Sequence, residues 1–135
     1  MRKKILVVEG NKAVRYLLCT ILNKYYDVVS VPDGISAIYS LRQSNDFSLV
    51  VLDPDLQDMQ DGELVKYLRL SPLFNDIPMV MLSSMDESLL MSMVKKYGVE
   101  QYFSKPFNPM KFLESVDALV MGRDHRELSL AVNFK

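Results

Sequence analysis

The chain has 135 residues, of which 49% are hydrophobic and 24% are charged, and its formal net charge is −1. This length and composition predict one globular domain with a real core, and the near-neutral charge argues against a nucleic-acid-binding surface. No apolar run has the length of a transmembrane helix or a signal peptide, and the single cysteine, Cys19, excludes an internal disulfide. We therefore expect a cytoplasmic protein in which Cys19 is a small core residue.

Strand-like and helix-like segments alternate along the chain. The predicted strands are residues 4–8, 27–31, 49–53, 78–83 and 101–104. The predicted helices are residues 12–25, 35–42, 62–69, 87–97 and 109–121. Their 3.6-residue spacing predicts a core-facing stripe on four helices: Val14, Leu17, Leu18, Ile21 and Leu22 on the first; Ile35, Ile38 and Leu41 on the second; Leu89, Leu90, Met93, Val94 and Tyr97 on the fourth; and Leu113, Val116, Leu119 and Val120 on the last. Repeated strand–helix units predict an α/β fold of the (βα)5 type, a three-layer α/β/α sandwich with a central five-stranded parallel sheet.

Capping residues mark the ends of the last two helices. Ser84 or Asp86 suits the N-cap of the fourth helix, and Gly98 suits its left-handed terminator. Asn108 followed by Pro109 suits the N-cap and first position of the last helix.

Chemically active side chains stand at the ends of four strands. Glu9 follows the first strand, Asp53 ends the third with Asp55 two residues later, Ser83 ends the fourth and Lys105 follows the fifth. In a parallel sheet these ends share one edge, where α/β proteins bind their ligands. A nucleophilic carboxylate, further acids for a divalent cation, a hydroxyl and an ammonium together suit phosphoryl transfer.

Four segments carry a resemblance to a known family: Ile5-Leu6-Val7-Val8-Glu9, Val50-Val51-Leu52-Asp53, Met81-Leu82-Ser83-Ser84 and Tyr102-Phe103-Ser104-Lys105-Pro106-Phe107. Over about residues 3–121, they resemble in order and spacing the response-regulator receiver domain of bacterial two-component signalling.

The resemblance implies a flavodoxin-like fold and roles for four side chains. It implies that Asp53 accepts a phosphoryl group from a histidine kinase or a phosphotransfer protein, and that Ser83 and Lys105 contact that group. It also implies that Ser83 and Tyr102 form the conformational switch. No enzyme activity is expected beyond the domain's own phosphorylation and dephosphorylation.

The residues expected to bind a metal depart from the family. Receiver domains usually carry two adjacent acids after the first strand, the second of which binds Mg²⁺ directly, whereas this chain has Glu9-Gly10. Three interpretations stay open: the longer Glu9 side chain reaches the metal, Asp55 adds its carboxylate, or the site is too weak to use. Because Mg²⁺ keeps several waters, a lost ligand need not abolish binding. The predicted ligands are Glu9, Asp53 and Asp55, with weakened Mg²⁺ affinity.

The loop after Asp53 and the end of the fourth strand also differ from the family pattern. Asp58 and Asp61 either are solvated turn residues or crowd negative charge around Asp53, which would raise the pKa of a buried acid. Ser84 stands where the family has a smaller residue, and its bulk would slow access to Asp53.

Two functions are compatible with these features. The first is a phosphoacceptor receiver domain that changes its contacts with a downstream protein, or with a second copy in a homodimer, through residues 87–121. The alternative is a pseudo-receiver, a protein-interaction module that works without phosphorylation because Gly10 replaces the second acid. A flavin-binding electron carrier has the same fold, but Glu9-Gly10-Asn11-Lys12 is not a hydroxyl-rich phosphate loop. No membrane or nucleic-acid partner is expected.

The last residues form a separate region in this interpretation, with the domain at residues 1–121 and a tail at residues 122–135. Residues 128–134 alternate large apolar with small or polar side chains, which predicts a strand with one apolar face. Such a strand would pack on the domain or pair with a second chain, and the alternative is a disordered end. His125 is expected to be a surface residue.

Overall fold

The computed structural model describes the backbone of residues 2–133 and the side chains of residues 2–122. The strands are β1 (Lys4–Val8), β2 (Asp27–Val31), β3 (Phe47–Leu52), β4 (Met79–Ser83) and β5 (Gln101–Ser104). The helices are α1 (Lys12–Leu22), α2 (Gly34–Gln43), α3 (Glu63–Leu70), α4 (Glu87–Tyr97) and α5 (Pro109–Asn133). The five strands and five helices predicted before residue 122 are all formed, and β1, β2, β5 and α4 have the predicted bounds.

The strands form one parallel sheet in the order β2-β1-β3-β4-β5. Alternate side chains of each strand enter two separate cores, since successive strand residues face opposite sides. Leu6 and Val50 pack in the core beneath α2, α3 and α4, while Ile5 and Val51 pack in the core beneath α1 and α5. Both faces of the sheet are covered, which explains the continuous apolar runs and confirms the predicted three-layer sandwich.

The helical faces predicted from spacing are partly wrong. Leu17, Ile35 and Leu89 are 43%, 67% and 52% exposed, whereas the core-facing position of α4 is Leu90. The fully buried Phe112 of α5 was missed by the spacing argument. Spacing indicates an apolar stripe about 100° wide but not its centre, which depends on how each helix sits on the sheet. Cys19 is half-buried at the edge of the α1 stripe, so its expected core position is also wrong.

Several caps are formed as predicted. Asp86 caps α4 by accepting a hydrogen bond from the backbone N–H of Ser88 at 2.8 Å, and Gly98 ends the helix at φ +62°. Asn108 Oδ1 accepts hydrogen bonds from the two backbone N–H groups at residues 110 and 111, at 2.9 and 3.1 Å. These caps set the start of α4 and α5 on either side of β5.

The strand predicted in the tail is not formed, because α5 continues past residue 121 to Asn133. Residues 122–133 contain no proline and several good helix formers, and extending an existing helix requires no new nucleus. The side chain of His125 and the residue Phe134 lie outside the described part of the chain, and the domain boundary at residue 121 stays a prediction. No helix within the described residues has the length and apolarity to cross a membrane.

Candidate functional site

Three candidate side chains meet at the carboxyl edge of the sheet. Lys105 Nζ lies 2.6 Å from Glu9 Oε1 and 2.8 Å from Asp53 Oδ2. The side chains of Glu9, Asp53 and Lys105 are 4%, 12% and 16% exposed, so this ammonium bridges two carboxylates in a largely dry place.

Backbone hydrogen bonds continue the strand ladders and hold each of these residues in place. The N–H of Asp53 donates to the carbonyl oxygen of Val8 at 3.0 Å, and the N–H of Lys105 donates to that of Ser83 at 2.9 Å. The N–H of Glu9 likewise donates to a carbonyl oxygen of β2, at 3.0 Å. The cluster is therefore built on the ends of β1, β3 and β5, each of which is bonded there to the neighbouring strand.

The two carboxylates keep Lys105 charged. Burial lowers the pKa of Lys105, but the hydrogen bonds and negative charges of Asp53 and Glu9 outweigh it and raise that pKa above its usual value. With both acids ionised, the cluster retains one net negative charge.

Glu9 is held as well as buried. Its Oε2 accepts a hydrogen bond from the backbone N–H of Asn11 at 3.1 Å. Its Oε1 makes no hydrogen bond of regular geometry to the described residues, and its charge is met only by the nearby Lys105 Nζ. An oxygen with this environment needs a cation beside it.

The predicted metal ligands do not assemble. No three His, Cys, Asp or Glu side chains of the described residues are grouped so that they could hold a metal ion. Asp55 is exposed, and it is its backbone N–H that reaches the site, donating to Asp53 Oδ1 at 2.9 Å. This arrangement therefore does not fit Mg²⁺ on Glu9, Asp53 and Asp55 together, because Lys105 already neutralises the two acids that meet.

Ser83 lies beside the cluster without joining it. The side chain is buried, and Oγ accepts a hydrogen bond from the backbone N–H of Met85 at 3.0 Å. This bond leaves the hydroxyl proton for another acceptor. The exposed Ser84 lines a cavity of about 430 Å³ together with Lys105 and Phe107, so access to this edge of the sheet is open.

Tyr102 connects β5 to the start of α4. The ring is half-buried, and the hydroxyl donates a hydrogen bond to Glu87 Oε1 at 2.9 Å. That bond to an acid raises the pKa of Tyr102 above its usual value. The tyrosine expected to act in the switch therefore contacts the helix that begins just after Ser83.

Asp58 is more than a solvated turn residue. Its two carboxylate oxygens accept hydrogen bonds from the backbone N–H groups of Gly34 and Ile35, both at 2.9 Å. Although partial burial opposes the shift, these two bonds lower the pKa of Asp58 below its usual value. The carboxylate thus ties the loop after Asp53 to the N-terminus of α2. Sequence reasoning missed this contact because its partners lie 24 and 23 residues away.

Asp61 lies where the same loop turns into α3. Its backbone has φ +57° and is followed by Gly62 at φ +79°, so two consecutive residues are left-handed. Aspartate tolerates this region better than most residues, and glycine enters it without strain. The residue is exposed, which agrees with the interpretation of Asp61 as a solvated turn residue.

Known proteins resemble this chain over most of its length. The model of the response regulator receiver domain matches residues 5–117. Chemotaxis protein CheY1 of Helicobacter pylori is 27% identical over 123 residues, covering 90% of this chain and 99% of CheY1. Hybrid signal transduction histidine kinase D of Dictyostelium discoideum is 33% identical over 83% of this chain, which spans 7% of that kinase. The structure of CheY4 from Vibrio cholerae matches 88% of this chain and 99% of CheY4, with TM-score 0.78 and 23% identity.

Proposed function

Because this chain belongs to the response regulator receiver domain family, we propose that Asp53 is its phosphoacceptor. Receiver domains are signalling modules of two-component systems, and they interact with histidine kinases or phosphotransfer proteins and with downstream partners. The observation that supports Asp53 is its carboxylate at the end of β3, paired at 2.8 Å with the ammonium of Lys105.

The residues suit acyl phosphate formation. A carboxylate oxygen of Asp53 attacks the phosphorus of the donor, an O–P bond forms, and the bond between phosphorus and the donor's leaving group breaks. Lys105, kept protonated by its two acidic neighbours, donates hydrogen bonds to the phosphoryl oxygens as negative charge accumulates there. The Ser83 hydroxyl, adjacent through the β4–β5 pairing, supplies a second donor.

Receiver domains generally bind Mg²⁺ for their phosphorylation. Of the predicted ligands Glu9, Asp53 and Asp55, only Glu9 and Asp53 meet, and we propose that Mg²⁺ affinity in this chain is weakened for that reason. The chemistry above therefore relies on the lysine and the hydroxyl.

The switch proposed for this chain runs from Ser83 to α4. When the Ser83 side chain rotates to bring its hydroxyl to the phosphoryl group, Oγ moves away from the N–H of Met85, just before α4 begins. Tyr102 contacts Glu87 in the first turn of the same helix. We propose that phosphorylation repositions this helix end and changes binding of a cytoplasmic downstream protein, or of a second copy, at residues 87–121.

Mass spectrometry after incubation with acetyl phosphate and Mg²⁺ tests the proposal. We expect the protein to gain the mass of one phosphoryl group, and Asp53→Ala to gain none. Asp27→Ala is the matched control, because that acid is exposed where β2 begins, at the opposite edge of the sheet from Asp53. An unmodified wild type at high donor and Mg²⁺ concentrations, or a modified Asp53→Ala, would contradict phosphorylation of Asp53.

A second candidate function is a protein-interaction module that works without phosphorylation. The observation favouring it is that Lys105 pairs with both acids at this edge, while Gly10 supplies no further carboxylate for a cation. This function predicts no mass increase with acetyl phosphate and unchanged partner binding in Asp53→Ala.

A further inference from the structure

We infer that Lys105 takes the place of a divalent cation between Glu9 and Asp53 in the resting protein, and that Gly10 is what maintains this state. The inference rests on the proposed function for the role of Asp53 and deepens it by stating how the site is regulated. Its tests measure metal binding, and therefore do not depend on whether phosphate is accepted.

The side chain of Glu9 is fixed in the site. Its carboxylate is buried and fixed through Oε2 by the N–H of Asn11. Its backbone carbonyl accepts a hydrogen bond from Arg15 Nη1 at 2.7 Å, and its N–H is tied to the carbonyl oxygen of Val31. Since a buried carboxylate without a counter-ion is strongly unfavourable, Lys105 is held beside Glu9.

A divalent cation and Lys105 compete for the same oxygens. Lys105 Nζ is within 2.8 Å of one oxygen of each acid, and these are the only acids that meet in the described site. A cation bound to both acids would face the ammonium at close range, and like charges repel strongly where water is excluded. Metal binding therefore requires that Lys105 move away.

The backbone does not require glycine at position 10. A Cβ added to Gly10 would have the carbonyl oxygen of Pro32 as its nearest heavy atom, at 3.6 Å, which is an ordinary van der Waals distance. Its φ lies outside the left-handed region that favours glycine, and the residue is exposed. The consequence of Gly10 is therefore chemical, since it leaves this edge of the sheet one carboxylate short.

Calorimetric titration with Mg²⁺ of the wild type, Gly10→Asp and Gly10→Asn tests the role of Gly10. We expect Gly10→Asp to bind Mg²⁺ at least about tenfold more tightly than the wild type, because a third carboxylate joins the two already present. Gly10→Asn has nearly the same volume without the charge, and it should bind like the wild type. Equal Mg²⁺ affinity in the wild type and Gly10→Asp would overturn the inference.

Thermal melts of Lys105→Met with and without Mg²⁺ test the competition directly. Removing the ammonium leaves two unpaired acids, so Mg²⁺ should raise the Tm of this variant more than it raises that of the wild type. A shift no larger than in the wild type would also overturn the inference. If no phosphate is accepted while these differences appear, the proposed function fails and the inference stands.

Discussion

A basic side chain is surrounded by acceptors at each edge of the sheet, and the arrangements of these two side chains, Arg69 and Lys105, differ in kind. At the amino edge Arg69 is hydrogen-bonded to fixed backbone carbonyls and one acid. At the carboxyl edge Lys105 faces two carboxylates and no carbonyl. Arg69 joins secondary-structure elements together, whereas Lys105 pairs with acids that another cation or hydrogen-bond donor could share.

Arg69 uses the planar geometry of its guanidinium group. Its hydrogen bonds run 2.7–3.1 Å to three carbonyl oxygens, those of Asn75, Tyr97 and Gly98. A fourth, at 2.7 Å, goes to Glu100 Oε1, which also accepts from the N–H of Met79 at 3.2 Å. Arginine can satisfy acceptors in several directions at once, so it joins α3, the end of α4 and the start of two strands.

Lys105 is a compact charge on a flexible stem, and its partners are acids that other cations or donors could share. Buried charges of this kind add little stability as a pair, but removing one partner leaves the other uncompensated. The contrast indicates that the amino edge contributes stability through a satisfied network, whereas the carboxyl edge is arranged for reaction. The following predictions test that contrast, beginning with the largest expected effect.

Lys105→Met should destabilise the protein the most, by about 3 kcal/mol, because it leaves Glu9 buried without a counter-ion. Urea unfolding measures this loss. Lys111→Met is the matched control, an exposed lysine on α5 whose removal should change stability little. Adding Glu9→Gln to Lys105→Met should recover part of the loss, and no recovery would show that the uncompensated acid is not the cause.

The stability that Lys105 contributes should decrease at high pH. Its pKa in the folded protein is raised, so its stabilising contribution is complete below the unfolded value of about 10.4 and is lost as pH rises through the higher folded value. Urea unfolding between about pH 9 and 11 should therefore show a decline that is smaller in Lys105→Met. The same slope in both proteins would contradict the pairing.

Arg69→Lys should cost about 2 kcal/mol even though it retains the positive charge, because a lysine cannot make the same set of hydrogen bonds. Urea unfolding is again the measurement. The matched control is Arg42→Lys, which replaces an exposed arginine bonded to the Tyr67 hydroxyl. Equal effects of the two substitutions would mean that the satisfied network adds no special stability at the amino edge.

Asp58→Asn should cost about 1 kcal/mol, the usual scale for losing a cap at a helix N-terminus. Because the pKa of Asp58 is lowered in the folded protein, its contribution is present above about pH 4 and is lost as pH falls through the folded value. The free energy of unfolding, measured at pH 7 and at pH 3, should therefore change less with pH in the variant than in the wild type. Asp55→Asn serves as the control.

Tyr102→Phe should have the smallest effect on stability, since its bond to Glu87 lies at the surface. NMR amide shifts should change mainly in the first turn of α4, and the C-terminal end held by Arg69 should not respond. Tyr25→Phe is the control, an exposed tyrosine far along the chain from α4. Shifts spread evenly over α4 would contradict a separate attachment at each end of that helix.

Much of this architecture could be predicted from short-range pattern. Three features depend only on neighbours a few residues away: apolar runs of strand length, helical spacing, and caps such as Asp86 and Gly98. They can therefore be predicted from the sequence. The convergence of Glu9, Asp53 and Lys105 also followed, because a parallel sheet gathers its strand ends at one edge.

Other features depended on contacts between distant segments. The bonds of Asp58 to the start of α2 cross 24 and 23 residues, and nothing next to Asp58 in the sequence indicates them. The exposed Leu17 and the buried Phe112 show that the packing of each helix on the sheet, and not spacing, selects which apolar residue lies at the centre. The period-two pattern in the tail predicted a strand, but α5 continues through this segment to Asn133.

The sequence by itself determined the order of the elements, the parallel sheet and the acids, hydroxyl and lysine at its carboxyl edge, because each depends on local preference and connectivity. It also showed that Gly10 stands where a second acid was expected. Only the tertiary structure decided that Lys105 lies between Glu9 and Asp53 while Asp55 faces solvent. The physical reason is that charge balance in a buried site depends on distances of a few ångströms between groups far apart in the chain.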